Sequence, residues 1–265
     1  VAVTRLVRRR LLDPRDAEQA AEQPISDAVN IPFSELPDRV HELPPRDQEL
    51  SVVGPAPLVQ AVIAWLATIG RRGLAVEAPA APKDERYEVG RLWEPSAFLR
   101  EVLPQLPGGA ALELACGTGR DTVFMSSCGW DVTAVDVLPD ALSRGRELAA
   151  RYAAALRPIR WLQLDLEAEV AEFGRAFDLI TVFRYLHRPL LGRLHDWLRP
   201  AGSILCETFT TVHRERYGKP SRAGHVLSPG ELPKLLTGLE IRHHSEAWRG
   251  RAHTARAWAV LRRTA

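Results

Sequence analysis

Several things are scarce in this chain, and each scarcity removes a class of function. No apolar run approaches the ~18 residues that a membrane span requires, so no span is expected. The 265 residues include three cysteines, Cys116, Cys128 and Cys206. That odd count, without metal-ligand spacing, speaks against a disulfide or zinc framework and for reduced thiols in a cytoplasmic setting. Charge of one sign is hardly in excess: a net +2 makes no global case for nucleic acid or an anionic membrane. The opening VAVTRLVRRRLLD carries arginines but no long apolar segment, so no signal peptide is expected. Internal repeats and long low-complexity tracts are also missing. What remains is a composition of 46% hydrophobic and 26% charged residues, typical of a globular protein long enough to bury a core without staples.

Proline and alanine interrupt the chain from Glu77 to Arg86, a composition suited to an extended linker. The expected organisation is a small domain over residues 1–78, a linker over 79–86 and a larger domain over 87–265. The small domain reads as alternating short strands and helices. Asp13 would cap a helix from Pro14 to Ala21, Ala28–Ile31 is extended, and a second helix is expected from Ser34 to Leu43. Leu50–Val53 reads as a buried strand, and Leu58–Ile69 as an apolar helix ended by Gly70.

The words LLDPRDAEQ and ISDAVNIPFSELPDRV make the small domain resemble the rhodanese family. That resemblance implies a sulfurtransferase-like α/β fold in which a low-pKa cysteine follows the central strand. Here that strand is followed by Gly54–Pro55–Ala56–Pro57, and residues 1–78 contain no cysteine. Pro55 and Pro57 also remove two amide donors. The expectation is the fold without the sulfur chemistry.

In the larger domain the stretch LELACGTGRD, residues 112–121, reads as a strand turning through Gly117 and Gly119 into a helix over Arg120–Ser127. Trp130–Val135 is the next strand, with Asp136 at its tip, 17 positions after Gly119. Glycines permit a sharp bend and close ligand approach, the helix start offers unpaired amides, and Asp136 can accept two hydrogen bonds from a ribose diol. The missing features narrow the ligand. The third glycine of a dinucleotide site is replaced by Thr122, and no Gly-Lys-Ser/Thr phosphate loop occurs. Glu113 would repel pyrophosphate and favour an ammonium or sulfonium. A ribose-bearing cation is expected.

These residues resemble the first motif of the class I S-adenosylmethionine-dependent methyltransferases. Further landmarks are similar to that family: Asp136 as the ribose acid, Leu164–Asp165–Leu166 beside adenine, the strand Phe177–Phe183, and Leu198–Leu205 around the fifth strand, with Ala201 in place of a glycine. The resemblance spans about residues 90–210. It implies a seven-stranded Rossmann-like sheet in the order 3-2-1-4-5-7-6, with S-adenosylmethionine as cofactor and no metal. The implied cofactor contacts are Arg91, Trp93, Glu113, Ala115, Gly117, Gly119, Asp136, Val137, Asp165, Leu166, Phe183 and Arg184. Ser228 to Leu232 resembles a capping box. Leu239–Ala247 and Ala255–Leu261 read as a closing antiparallel hairpin, with Arg249, Arg251 and His253 in its loop.

Methyl transfer needs a positioned acceptor and, for some acceptors, a base. Candidates at the ends of the fourth and fifth strands are Tyr185, His187 and Glu207, with Thr208, His213 and His225 nearby. The Asn/Asp-Pro-Pro-aromatic motif of base amino methylation is missing, since Phe183–Arg184–Tyr185–Leu186 stands there. So is the Pro-Cys of cytosine methylation. The layout resembles small-molecule methyltransferases such as the tellurite-resistance type, so a small-molecule acceptor is expected. An RNA or protein acceptor docked by the small domain, and a non-catalytic cofactor sensor, remain open. Sequence leaves the oligomeric state undetermined.

Overall fold

The computed structural model describes residues 5–78, 88–168 and 172–262; the expected linker lies outside them. The chain divides into two compact units, Val1–Glu94 and Pro95–Ala265. The division falls later than the sequence expectation. Strand β6 (Glu88–Arg91) pairs in parallel with β1 (Arg5–Arg8) and so stays with the first unit.

The first unit holds a four-stranded, all-parallel sheet. Its strands are β2 (Leu11–Asp13), β3 (Ala28–Asn30), β4 (Leu50–Val52) and β5 (Gly73–Ala75), in the order β3-β2-β4-β5. Parallel strands need crossovers. The helices among them are α1 (Ala17–Glu22) and α2 (Ala56–Thr68), and α2 buries Val59, Val62 and Leu66 against Leu12, Leu50 and Val52. Asp13 ends β2 instead of capping a helix. It is buried and accepts two hydrogen bonds from the Arg15 guanidinium, at 2.9 and 2.8 Å, and Asp16 takes the cap position of α1. The expected helix from Ser34 to Leu43 is two separate 3-10 turns, Phe33–Glu35 and Val40–Glu42. Pro37 lies between them and removes an amide donor that a continuous helix would use.

The second unit is a seven-stranded mixed sheet. Its strands are β7 (Ala110–Leu114), β8 (Asp131–Asp136), β9 (Ile159–Gln163), β10 (Phe177–Phe183), β11 (Leu198–Phe209), β12 (Glu240–Arg249) and β13 (Ala252–Val260). From one edge to the other they run β9-β8-β7-β10-β11-β13-β12, with β13 alone running antiparallel to the rest. This is the expected 3-2-1-4-5-7-6 order. Its helices are α3 (Ala97–Val102), α4 (Arg120–Ser127), α5 (Pro139–Arg151), α6 (Arg188–Arg193), α7 (Thr211–Tyr217) and α8 (Leu232–Leu235).

Strand side chains alternate between faces. Ala111, Val132, Leu179 and Leu205 pack with Phe98 and Leu99 of α3 and Met125 of α4, while Leu112, Leu114, Ile180, Val182 and Ile204 pack with α6 and α8. Apolar residues at consecutive strand positions thus serve two helical layers. The strand order reverses between β7 and β10, and in open α/β sheets ligands lie at the carboxyl ends beside such a reversal. Leu198–Pro200–Ala201–Gly202 is part of the long β11, with Ala201 at φ +68°. The expected capping box survives only as a turn: Ser228 N–H donates to Glu231 Oε2 at 2.7 Å, and α8 begins one residue later. Arg249 and His253 belong to β12 and β13, not to their loop.

Two of the three thiols are sealed in the second unit. Burial pushes Cys206 up to about 12, and burial, with Glu113 and Asp136, pushes Cys116 higher still. Cys128 is exposed. A disulfide-exchange reagent at pH 8 should therefore titrate one thiol in the folded protein and three in denaturant. Two fast-reacting thiols in the folded protein would contradict this packing.

Candidate functional site

The loop from β7 to α4 is built around backbone that side chains avoid. Ala115, Gly117 and Gly119 have φ of +55°, +55° and +71°. The two glycines do different work. A Cβ on Gly119 would come 2.5 Å from the Trp161 ring, whereas one on Gly117 would meet nothing within 4 Å. Gly119 therefore admits an indole beneath the turn, and Gly117 leaves open space above it. Arg184, at the carboxyl end of the adjacent β10, also has positive φ, +57°, and its N–H donates to Glu207 O at 2.7 Å. Two non-glycine residues thus hold left-handed backbone at neighbouring strand tips, a strain that clusters at binding sites.

Asp136 joins the tips of β7 and β8. Gly117 N–H donates to its Oδ2 at 2.7 Å and Leu138 N–H to its Oδ1 at 3.0 Å. Each carboxylate oxygen keeps a further lone pair, so the group is oriented before any ligand arrives. Val137 and Leu138, next along the loop, are large apolar residues left 48% and 59% exposed. Asp165, at the end of β9, accepts from Glu167 N–H at 2.9 Å, and Leu166 is buried.

The Tyr185 hydroxyl is buried without a hydrogen-bond partner among the described residues. Burial, Glu167, Asp165 and Asp136 together push it well above the usual phenol range. A carboxylate with spare lone pairs, an unpartnered hydroxyl in the field of the same acids and an open space above Gly117 fit a ribose-bearing ligand across these strand tips.

Glu113 lies beneath the loop and is 4% exposed. It accepts from the Thr122 hydroxyl, and burial and the Asp121 charge hold it well above the ordinary carboxylate range. Asp121 in turn receives Ser96 N–H and Oγ–H, both at 2.6 Å, and so caps α3 from α4. The contribution of a raised acid is complete below the unfolded value of ~4.3 and is lost as pH rises through the folded value. Glu113→Gln keeps an oxygen for Thr122 and removes that loss. Wild-type stability relative to the variant should fall as pH rises above about 4 in urea denaturation; a gap constant with pH would contradict the buried, raised acid.

Glu207 is held at both oxygens: Thr254 Oγ–H donates to one carboxylate oxygen at 2.7 Å and Arg256 Nε–H to the other at 3.0 Å. His187 precedes α6 without a side-chain cap, and its Nδ1 is buried without a partner among the described residues. Arg188 beside it ties α6 to the returning chain through Glu231, at 2.5 and 3.0 Å, and through Gly224 O and Val226 O. His225 sits in the 3-10 turn between those two carbonyls, and Thr208 is buried in β11. Arg91 and Trp93 lie in the first unit, both buried. The Arg91 guanidinium there reaches Trp93 O, stands 4.9 Å from the Trp93 ring centroid and pairs with Glu94 at 3.6 Å.

Sequence reasoning passed over a cluster of rings on α7 and the β12–β13 hairpin, formed by His213, Tyr217, Trp248 and His253 with Phe209. No local periodicity links residues so far apart in the chain. A separate cleft of about 540 Å³ lies at the opposite, amino ends of β7, β8, β9 and β10, lined by Ala110, Asp131, Ile159 and Phe177. Among the described residues no cluster suited to a metal ion occurs, and no helix is long and apolar enough to cross a membrane.

Residues 111–202 match the family described as Methyltransferase domain. An uncharacterized protein of Schizosaccharomyces pombe is 23% identical over 79% of this chain and 79% of its own length. Trans-aconitate 2-methyltransferase of Deinococcus radiodurans is 27% identical over 55% of this chain and 63% of its own length. Among solved structures, the N-methyltransferase NodS of Bradyrhizobium japonicum superposes with a TM-score of 0.50 at 20% identity, covering 63% of this chain and 93% of NodS, a likeness of fold. Residues 111–202 thus carry the likeness of a methyltransferase domain, on a sheet that shares the NodS fold.

Proposed function

We propose that the chain transfers a methyl group to a small-molecule acceptor held beyond the carboxyl ends of β10 and β11. The observation that carries this reading is Asp136, anchored by Gly117 and Leu138 amides with lone pairs to spare, one strand from the sheet's reversal. A matched relative named for methylation of trans-aconitate supports a small acceptor. In this reading Asp136 holds the ribose hydroxyls, Asp165 faces the adenine amine, and Val137 and Leu166 border the base. The backbone of Ala115, Gly117 and Gly119 passes the methionine portion toward Phe183 and Arg184.

S-adenosylmethionine supplies a methyl group on a positively charged sulfur, which leaves as a neutral thioether with its electron pair. The chain's own contribution is orientation in line with the acceptor and exclusion of water. A proton released by the acceptor passes to a side chain or to solvent. Tyr185 and His187 each keep a buried polar atom without a partner among the described residues, so they are placed to meet a ligand. Glu207, held by Thr254 and Arg256, positions the β11 end.

The LLDPRDAEQ and ISDAVNIPF words and the parallel four-stranded sheet support a rhodanese-like first unit. With no cysteine in residues 1–78, it is assigned no sulfur transfer. The test is turnover with methyl-labelled S-adenosylmethionine against metabolite, tRNA and protein fractions. Label is expected in the metabolite fraction; label confined to tRNA or protein would overturn the small-acceptor reading.

A further inference from the structure

The rings on α7 and the hairpin form a continuous surface. Phe209 and His213 stack with centroids 4.5 Å apart and planes 20° apart, and Tyr217 follows at 4.9 Å from His213. Trp248 meets Tyr217 edge-on at 6.1 Å and His253 at 5.2 Å. Trp248 and Tyr217 nonetheless remain 40% and 38% exposed. Burying such rings is worth more than burying most side chains, so exposed aromatic clusters mark binding surfaces.

The surface stands at the acceptor end of the crevice. Thr210 N–H, just past β11, donates to His253 O at 3.3 Å, and Phe209 lies two residues beyond Glu207, whose carbonyl receives Arg184 N–H. The nucleotide-side groups, Asp136 and Asp165, lie in the other direction, at the carboxyl ends of β8 and β9.

Its charge is positive. The Arg216 guanidinium lies 4.9 Å from the Trp248 centroid and 5.6 Å from that of Tyr217. Glu207, the acid beside it, is neutralised by Arg256. Arg184 is exposed and close enough to depress both Arg120 and His213, each lowered chiefly by burial. With Arg184 near His213 and Arg216 over Trp248, the surface carries two guanidiniums and favours an anion. His213 Nδ1 accepts His253 N–H at 3.4 Å. A neutral imidazole with that nitrogen accepting carries its proton on Nε2 and presents a donor.

We propose that the acceptor is a flat-ringed small acid, an aromatic or conjugated carboxylate, stacked on the Trp248–His213 surface with its acid group toward Arg184. The inference rests on the methyltransferase reading and names its substrate class. A planar acid satisfies both the rings and the guanidiniums, whereas an aliphatic acid uses only the second and a neutral ring only the first.

The test uses the full chain saturated with S-adenosylhomocysteine and titrated calorimetrically with 4-hydroxybenzoate, 4-hydroxybenzamide and 4-hydroxycyclohexanecarboxylate. The aromatic acid should bind at least about 10-fold more tightly than either analogue. Trp248→Ala should lose about 10-fold for the aromatic acid, with Trp248→Phe recovering most of it and S-adenosylhomocysteine affinity unchanged. Arg184→Gln should erase the preference for acid over amide. Equal binding of the three probes, no binding of the aromatic acid by about 10 mM, or indifference to Trp248→Ala would overturn the inference while leaving the cofactor reading intact. Tighter binding of an RNA oligonucleotide, lost on Trp248→Ala, would also overturn it. Failure of S-adenosylhomocysteine itself to bind would instead overturn the methyltransferase reading.

Discussion

Asp136→Ala should weaken S-adenosylmethionine binding by about 1–3 kcal/mol, roughly 5- to 150-fold, measured calorimetrically. Two losses add. The ribose diol loses its charged acceptor, and Gly117 N–H and Leu138 N–H, which donate to Asp136 at 2.7 and 3.0 Å, lose theirs. The second loss loosens the loop that frames the pocket. Asp136→Asn separates the effects. Its single oxygen can serve one backbone amide, while its NH₂ opposes the other, so it should fall between wild type and alanine. Unchanged affinity in the alanine variant would move the ribose elsewhere.

Gly119→Ala and Gly117→Ala should diverge, although both place a methyl at positive φ. At Gly119 the methyl would stand 2.5 Å from Trp161 Cη2 with Gly145 Cα 3.4 Å behind it. Left-handed strain of about 1–2 kcal/mol plus overpacking of about 1–3 kcal/mol should lower stability by roughly 2–5 kcal/mol. Trp161→Leu in that background should recover the packing part alone. At Gly117 the methyl meets nothing, so only the strain remains for folding, and Ala115 already tolerates the same φ of +55°. The methyl would instead fill the space offered to the ligand. Thermal unfolding should report the first variant and cofactor titration the second. Equal Tm losses in the two would contradict the division of labour.

Much of this arrangement was legible in the sequence because local rules carry it. Apolar residues at successive strand positions announce a sheet covered on both faces, and the glycine turn with Asp136 announces the nucleotide crevice. The unread parts depend on pairings between distant residues. The union of β1 with β6 joins residues 5–8 to 88–91, and it places Arg91 and Trp93 in the first unit. Glu207 looked available until the β11–β13 register set it opposite Arg256. Asp13 looked like a cap because its neighbour is proline, yet it is Arg15 that claims it. The ring surface assembles from residues 209–253 only once the sheet has brought the hairpin beside α7.

The central claim places a ribose on Asp136. A crystal structure of the full chain with S-adenosylhomocysteine tests it most directly. Both ribose hydroxyls should lie within about 3 Å of the Asp136 carboxylate, with the homocysteine portion running over Gly117 toward Arg184. A ligand bound away from the tips of β7 and β8, or a crevice left empty at saturating ligand, would contradict the account.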